Sequence, residues 1–336
     1  MSAAPDDPEL SRINLLAALA WPHPGFPAPL AGAGFELWGI EREVSTTAGP
    51  VRPDVGLVCR HEDHTLLLEV KTVGVDTNQA RKLASIRREH YQPSNFTVGD
   101  IQKHDHQVGY VMPSERCEDN HAHLAPLADF PIIAADAEAD GWMVTLHSGR
   151  LTSKGANDTL RKVVRAPHEV PEIVRFSTKT ARSKIVADAA TSMVSSAYQD
   201  GRRVWQISEL VESILDRPRG MSRLYHLEVR RYCKNVLCSH LDEAVSHELD
   251  GMLRRLDSPS SDPRYDLIFD GANPGGAWLR RFREGVQTLC VRVASGRPPG
   301  DQYPLPLDEV DDVAVSLPSL SASSVTEPDQ DVSAAE

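Results

Sequence analysis

Residues 51–72 have the sequence VRPDVGLVCRHEDHTLLLEVKT. Two apolar runs, DVGLVCR and TLLLEVK, are separated by the polar stretch HEDH, and this pattern predicts two strands joined by a turn. Because side chains alternate across a strand, Glu69 and Lys71 share one face. Asp54 starts the neighbouring strand, and paired strands lie about 4.8 Å apart. The sequence therefore predicts that two carboxylates and an ammonium group meet at one end of a sheet.

Two carboxylates in such a place require a compensating charge. Removing an ionised carboxylate from water costs on the order of several kcal/mol unless the group is paired or bound to a metal ion. Mg²⁺, with Mn²⁺ as the alternative, prefers oxygen ligands, and Asp54, Glu69 and the Val70 carbonyl would supply them. Such an ion lowers the pKa of a bound water and polarises a phosphoryl oxygen. Lys71 would orient that water or offset the charge on phosphorus.

The same residues resemble the signature of a known nuclease superfamily. Pro-Asp at 53–54, followed fifteen residues later by Glu-Val-Lys at 69–71, is similar to the PD-(D/E)XK motif, and the resemblance extends over roughly residues 30–147. It implies a restriction-endonuclease-like α/β fold, in which a central mixed β-sheet is flanked by helices. It also implies Mg²⁺-dependent hydrolysis of phosphodiester bonds, with the two acids as metal ligands and Lys71 as the catalytic lysine.

Many members of this superfamily carry two further site residues. One is an acid upstream of the motif, for which Glu43, Glu41 and Glu36 are the candidates; alternation along a strand over 40–44 favours Glu43. The other is a polar residue in the helix after the motif, and Gln79 opens the helix predicted there.

The chain has 336 residues, of which 40% are apolar. That length favours two domains with additional tails. The prediction comprises a flexible N-terminal segment (1–29), a nuclease-like domain (30–147), a basic helical connector (148–200), a helical, winged-helix-like domain (201–297) and a disordered acidic tail (298–336).

Hydrophobic periodicity predicts further elements along the chain. Strands are predicted over 40–44, 108–112, 131–135, 142–147 and 265–269. Helices are predicted over 13–20, 78–90, 121–128, 183–199, 207–216, 228–237, 240–256 and 277–284.

Charge is unevenly distributed around the net value of −12. Residues 1–147 hold 21 acids and 11 bases, whereas residues 148–235 hold 9 acids and 17 bases. A basic stretch is typical of proteins that bind a phosphate backbone. The hypothesis is that nucleic acid contacts Arg175, Lys179, Arg182 and Lys184; the alternative is an ordinary solvated basic face.

Composition also restricts the class of protein. The longest apolar stretch near the N-terminus covers only residues 13–21, whereas a bilayer span needs roughly twenty apolar residues, so no membrane association is expected. Five scattered cysteines fit a reducing cytoplasm better than a disulfide framework. We find no P-loop sequence and therefore do not expect ATP hydrolysis.

The leading hypothesis is a cytoplasmic, Mg²⁺-dependent nuclease that acts on DNA, with RNA as the alternative substrate. Its expected setting is phage defence, restriction or repair. Because the first domain is acidic, it would rely on the basic middle region, a protein partner or a homodimer. The second hypothesis is a non-catalytic binding protein that keeps the nuclease fold as a scaffold. The third is a transcription regulator that acts through its winged-helix-like part.

Overall fold

A mixed seven-stranded sheet forms the centre of the molecule. The computed structural model describes residues 7–87, 105–215, 221–256 and 261–298. In spatial order, the strands of the sheet are β1 (Phe35–Ile40), β4 (Val55–Cys59), β5 (His64–Val70), β6 (Asp105–Met112), β7 (Ile132–Glu138), β8 (Gly141–Ser148) and β9 (Val164–Ala166). Strand β5 is parallel to β6 and β6 to β7, while the other neighbours are antiparallel.

Two smaller sheets and a set of helices complete the described fold. The smaller sheets are the ribbon β2 (Val44–Thr46) with β3 (Gly49–Val51), and the three-stranded sheet β10 (Val204–Gln206), β12 (Arg264–Leu267) and β11 (Leu253–Arg255). The helices are α1 (Pro8–Leu19), α2 (Pro29–Gly32), α3 (Thr77–Ala84), α4 (Ser114–Leu124), α5 (Lys154–Leu160), α6 (Arg182–Asp200), α7 (Ile207–Ile214), α8 (Arg223–Ala244) and α9 (Gly276–Ser295). No helix in these ranges is long and apolar enough to cross a membrane.

The predicted pairing of the two motif strands is confirmed. Strands β4 and β5 are antiparallel, in a register that places Val55 opposite Leu68 and Cys59 opposite His64. Every residue of both strands is buried, because apolar clusters cover the two faces of the sheet. Leu66 and Leu68 belong to one cluster and Leu67 to the other, as alternation requires. The apolar runs on each side of the HEDH turn are therefore central strands.

The N-terminal segment differs from the prediction of flexibility. Asp7 caps α1 and Pro8 occupies its first turn, a combination that favours helix initiation. Leu15, Leu16 and Leu19 are completely buried in the larger apolar cluster. The helix predicted over 13–20 is present as α1, which begins earlier, at Pro8, so a capped and buried helix occupies much of the segment 1–29 that was assigned as flexible.

The C-terminal half also differs in detail from the predicted elements. The helix predicted over 228–237 and the start of the helix predicted over 240–256 form one continuous helix, α8, which ends at Ala244. The end of the second predicted helix is instead strand β11, which pairs with β12. Apolar residues at 249, 252 and 253 mimic helical spacing, but Gly251 between them has φ +68°, a value incompatible with a continuing helix. The helices predicted over 183–199, 207–216 and 277–284 are confirmed as α6, α7 and α9, of which α9 extends further, to Ser295.

A single apolar cluster joins the predicted segments. It contains Leu15 from α1, Val111 from the central sheet, Phe176, Met193 from α6 and Phe282 from α9. Residues 1–6, 88–104, 216–220, 257–260 and 299–336 lie outside the described residues. They include most of the predicted acidic tail and the end of the helix predicted over 78–90.

Candidate active site

The predicted motif residues line one cleft at the end of strands β4 and β5. Asp54, Glu69, Lys71 and Gln79 all contribute to a cleft of about 390 Å³. Asp54 precedes the first residue of β4, and Lys71 follows the last residue of β5. Because the two strands are antiparallel, the start of one meets the end of the other at the same edge.

Asp54 is fixed by the backbone of the neighbouring strand. Its side chain is buried, and its Oδ2 atom accepts a hydrogen bond of 2.6 Å from the Val70 backbone N–H. Burial and the nearby Glu41 raise the pKa of Asp54 well above its usual range, although the Val70 hydrogen bond acts in the opposite direction. The side chain therefore cannot turn away, and its ionised form requires a compensating cation.

One carboxylate oxygen of Glu69 contacts two side chains, and the other has no hydrogen-bond partner. Its Oε1 atom lies 2.7 Å from the Lys71 ammonium and accepts a hydrogen bond of 2.5 Å from the Gln79 amide. Its Oε2 atom is buried and has no hydrogen-bond partner. Burial, followed by the charge of Asp54, raises the pKa of Glu69 to about 8. A buried oxygen without a partner is costly and calls for an explanation such as a missing ion or water.

Lys71 and Gln79 both orient Glu69. Burial lowers the pKa of Lys71, but the charge and hydrogen bond of Glu69 outweigh burial, so the net shift of the pKa is upward. Gln79 lies in the first turn of α3, where its backbone N–H and that of Asn78 are donated to the capping Asp76 carboxylate. The cap fixes the position from which the Gln79 amide reaches Glu69.

The structure places Glu41, and not Glu43, at the site. Glu41 lines the cleft, and its carboxyl is hydrogen-bonded to that of Asp54. Burial raises the pKa of Glu41 to about 7, with the Asp54 hydrogen bond opposing the shift. Glu43 is exposed and lies 3.4 Å from Arg52, which also pairs with Glu228 at 2.9 Å. The choice of Glu43 assumed a strand over 40–44, whereas β1 ends at Ile40 and alternation ends with it.

The four predicted phosphate-binding residues differ in their surroundings. Arg175 lies 3.2 Å from Asp188, and Lys184 lies 2.8 Å from Glu172, so the side chains of both are engaged by acids within the same segment. Arg182 is the exposed first residue of α6. Lys179 is the member of the four that lines the cleft.

Sequence reasoning missed two further acids at the cleft, Glu9 and Asp76, which caps α3. Glu9 of α1 lines the cleft and forms an ion pair with Lys179. The Asp-Pro-Glu sequence at 7–9 carries a helix-start signal. That signal locates the helix along the chain, but no local pattern indicates that it packs beside β4 and β5.

The donor set of the cleft suits a hard divalent cation. Among the described residues, no three His, Cys, Asp or Glu side chains form a ready-made metal site. Mg²⁺ commonly uses only one or two protein carboxylates and completes its shell with water and substrate phosphate. Asp54 and Glu69 provide that number, and the partnerless Oε2 atom of Glu69 is an available ligand.

Comparison with known proteins gives one partial match to a family model. Residues 8–147 match a family model described as the MJECL32 domain. This range begins with α1 and ends within β8, and it includes Glu9, Asp54, Glu69 and Lys71. No curated protein and no solved structure matches the chain.

Proposed function

We propose that this chain is a Mg²⁺-dependent nuclease of the PD-(D/E)XK superfamily that hydrolyses phosphodiester bonds in DNA, with Mn²⁺ able to replace Mg²⁺. The observation that carries the proposal is the convergence of Asp54, Glu69 and Lys71 in one cleft. The partnerless, buried Oε2 atom of Glu69 supports a cation at this point. The antiparallel β4–β5 pair, followed by α3 and then by β6 parallel to β5, supports a restriction-endonuclease-like core.

The proposed mechanism assigns a task to each side chain. Asp54 and Glu69 would hold the ion together with the Val70 carbonyl, and Glu41 would adjust the negative charge through its hydrogen bond to Asp54. An ion held there would supply Lewis acidity to a phosphoryl oxygen and would lower the pKa of a water. The protonated Lys71 offsets charge that develops on the phosphorus. Gln79 occupies Oε1 of Glu69, which leaves Oε2 for the cation.

The helices and the small sheet after residue 181 support a winged-helix-like module. Their order along the chain is α6, β10, α7, α8, β11 and β12, and the antiparallel sheet has the order β10-β12-β11. The Ser222 backbone N–H, which precedes α8, donates to the Ile40 carbonyl, and Glu228 of α8 pairs with Arg52. Because α8 adjoins the cleft, we propose that this module presents nucleic acid or a partner protein to the active site.

Cleavage assays on the full chain test the proposal. Plasmid DNA, single-stranded DNA and RNA are incubated with Mg²⁺ or Mn²⁺ and with the wild type, Asp54→Ala or Lys71→Ala. We expect DNA cleavage by the wild type and a loss of about 100-fold or more in each variant, since each removes a group that acts on the transition state. Glu36→Ala and Lys162→Ala, which change exposed residues outside the cleft lining, serve as matched controls and should cut normally. Cleavage that persists in Asp54→Ala would refute the assignment.

A non-catalytic binding protein is the second candidate. The observation that favours it is the excess of acids in residues 1–147, which repels a phosphate backbone, together with the internal pairing of Arg175 and Lys184. A wild type that folds and does not cut any of the substrates with either ion would support this candidate. Roles in phage defence, restriction or repair, and a partner subunit or homodimer, remain part of the nuclease proposal.

A further inference from the structure

We propose that Lys179 binds a backbone phosphate of the nucleic acid that enters the cleft, and that Glu9 takes the place of this phosphate while the cleft is empty. The inference rests on the proposed nuclease function and adds a substrate-binding pair to it. Both residues come from outside the motif strands: Glu9 from the first turn of α1, and Lys179 from the turn before α6.

The pair stands directly beside the proposed catalytic groups. Glu9 and Lys179 line the same cleft as Asp54, Glu69 and Lys71. They also line a smaller neighbouring cavity of about 50 Å³, which Asp54 shares. A nucleic-acid strand whose scissile phosphate lies at Asp54 and Glu69 has further phosphates on each side, so an ammonium at the cleft wall is within reach of one of them.

The backbone that carries Lys179 is fixed. The Ser177 hydroxyl donates to the Asp7 carboxylate at 2.6 Å, and the Lys179 backbone N–H donates to the same hydroxyl at 2.9 Å. The Ser177 N–H donates to the Thr180 hydroxyl at 2.7 Å, and the Tyr232 hydroxyl donates to the Thr180 carbonyl at 2.9 Å. The turn is therefore tied to α1 and α8, and Lys179 is presented at a defined place.

The side chain of Lys179, in contrast, is free to change partner. It is 66% exposed, whereas the Glu9 side chain is 16% exposed, and solvent and salt screen an ion pair whose cation lies largely in water. Lys71 is held by the buried Glu69, and Arg52 is held by Glu43 and Glu228. Lys179 is thus less constrained than Lys71 and Arg52, and a backbone phosphate, which is a monoanion with two free oxygens, can replace the Glu9 carboxylate as its acceptor.

The pair has a matched control in the same segment. Lys184 and Glu172 form a lysine–glutamate ion pair of 2.8 Å, and neither residue lines the cleft. The charges of the two pairs are thus the same and their lysines lie five residues apart, whereas only Lys179 and Glu9 line the cleft with Asp54 and Glu69. A general electrostatic effect of losing a lysine would appear in both pairs.

The test measures binding of fluorescent single-stranded and duplex DNA to the full chain by anisotropy, in EDTA and over a range of salt concentrations. We expect Lys179→Ala to bind DNA about five- to tenfold more weakly than the wild type. The slope of log affinity against log salt should become shallower by about 0.7–0.9, the value for one phosphate contact. We expect Glu9→Gln to bind about two- to fivefold more tightly, since it frees Lys179. Lys184→Ala and Glu172→Gln should leave affinity within about twofold of the wild type.

The outcomes separate this inference from the proposed function. If DNA is cut in a manner dependent on Asp54, but Lys179→Ala behaves like Lys184→Ala, the inference is overturned and the nuclease assignment stands. Weaker binding by Glu9→Gln, in a protein whose melting temperature is unchanged, also overturns it. A wild type that neither binds nor cuts DNA or RNA overturns both. Lys179→Arg, which keeps the charge, should retain wild-type affinity.

Discussion

Glu41 owes its position at the cleft to an unusual backbone conformation. Its φ is +51°, in the left-handed region that residues with a side chain rarely adopt. The Glu41 N–H donates to the Asp54 carbonyl at 3.0 Å, which fixes this turn beside the start of β4. Such strain is typically retained at functional sites. Because of this turn, the Glu41 carboxyl lies beside Asp54, and Glu43 lies outside the cleft lining.

The buried carboxyl of Glu69 makes the folded protein less stable as pH rises, because its pKa is raised in the folded state. Its pKa is about 8 in the folded protein and 4.5 as the ordinary value, so the folded state holds the extra proton between these limits. The free energy of unfolding therefore falls as pH rises from about 4.5 to about 8. A bound cation removes this penalty because it replaces the proton.

We predict that Glu69→Gln partly abolishes this pH dependence. In EDTA, the free energy of unfolding of the variant should match that of the wild type near pH 4.5. At pH 8 it should be higher by an amount on the order of 1–3 kcal/mol, which depends on the shift in the pKa and on relaxation of the site. Urea unfolding at both pH values measures the effect, and Glu36→Gln is the control at an exposed acid. Mg²⁺ should stabilise the wild type and not the variant. Equal pH slopes in the wild type and Glu69→Gln would show that the buried carboxyl does not hold the proton.

The site residues predicted from sequence are those fixed by local geometry. Glu69 lies in β5, and Asp54 and Lys71 directly adjoin the paired strands β4 and β5, so alternation and the turn between the strands suffice to bring the three together. Glu41 was a candidate, but its place depends on where β1 ends. Glu9 meets Lys179 across 170 positions of the chain, and such a contact depends on tertiary packing that no local pattern encodes.

Helices and strands were likewise predicted where their sequence pattern is local. The buried strands β4 and β5, the long helix α6 and the first part of α9 have strong local patterns and were predicted, whereas the rest of α9, up to Ser295, was not. Strand β11 has only three residues and exists through its pairing with β12, so its apolar residues were assigned to a helix. Long-range pairing outweighs local propensity in short strands.

Helix α9 packs closely on the segment that leads to β11, and Gly285 is the point of contact. A Cβ atom at this position would lie 2.4 Å from the Glu248 carbonyl oxygen, which belongs to the backbone and cannot move freely. The side chain of Glu248 also holds the buried Arg292 of α9. Close approach between these elements therefore requires glycine.

We predict that Gly285→Ala destabilises the protein by about 1–3 kcal/mol, the usual cost of forcing an extra group into a packed interior. Gly276→Ala is the control in the same helix. A Cβ there meets no atom within 4 Å, and alanine favours the helix by up to about 1 kcal/mol. Thermal unfolding should therefore shift downwards for Gly285→Ala and remain equal or shift upwards for Gly276→Ala. Identical shifts would argue against the close contact.

At the scale of the whole molecule, α1 contacts both the central sheet and the apolar cluster that contains the C-terminal helices. The Arg12 guanidinium donates to the Ala135 carbonyl in β7 at 2.9 Å. The Asn14 amide donates to the Val174 carbonyl at 2.8 Å and accepts from the Val174 N–H at 2.7 Å. Apolar side chains of α1 belong to the same cluster as those of α6 and α9. The segments predicted from composition therefore share one interior, which a scan along the sequence does not detect.

This arrangement predicts that Asn14→Ala destabilises the entire described fold and not α1 alone. The substitution leaves the buried N–H and C=O of Val174 without partners, and each such group costs about 1–3 kcal/mol. Ser11→Ala is the control in the same helix, because the Ser11 hydroxyl donates only to the Asp7 carbonyl one turn earlier. Unfolding followed by both tryptophan fluorescence and helical circular dichroism should show a single transition that moves down for Asn14→Ala and stays in place for Ser11→Ala. Two separate transitions, of which Asn14→Ala moves only one, would mean that the sheet and the C-terminal helices unfold independently despite their common core.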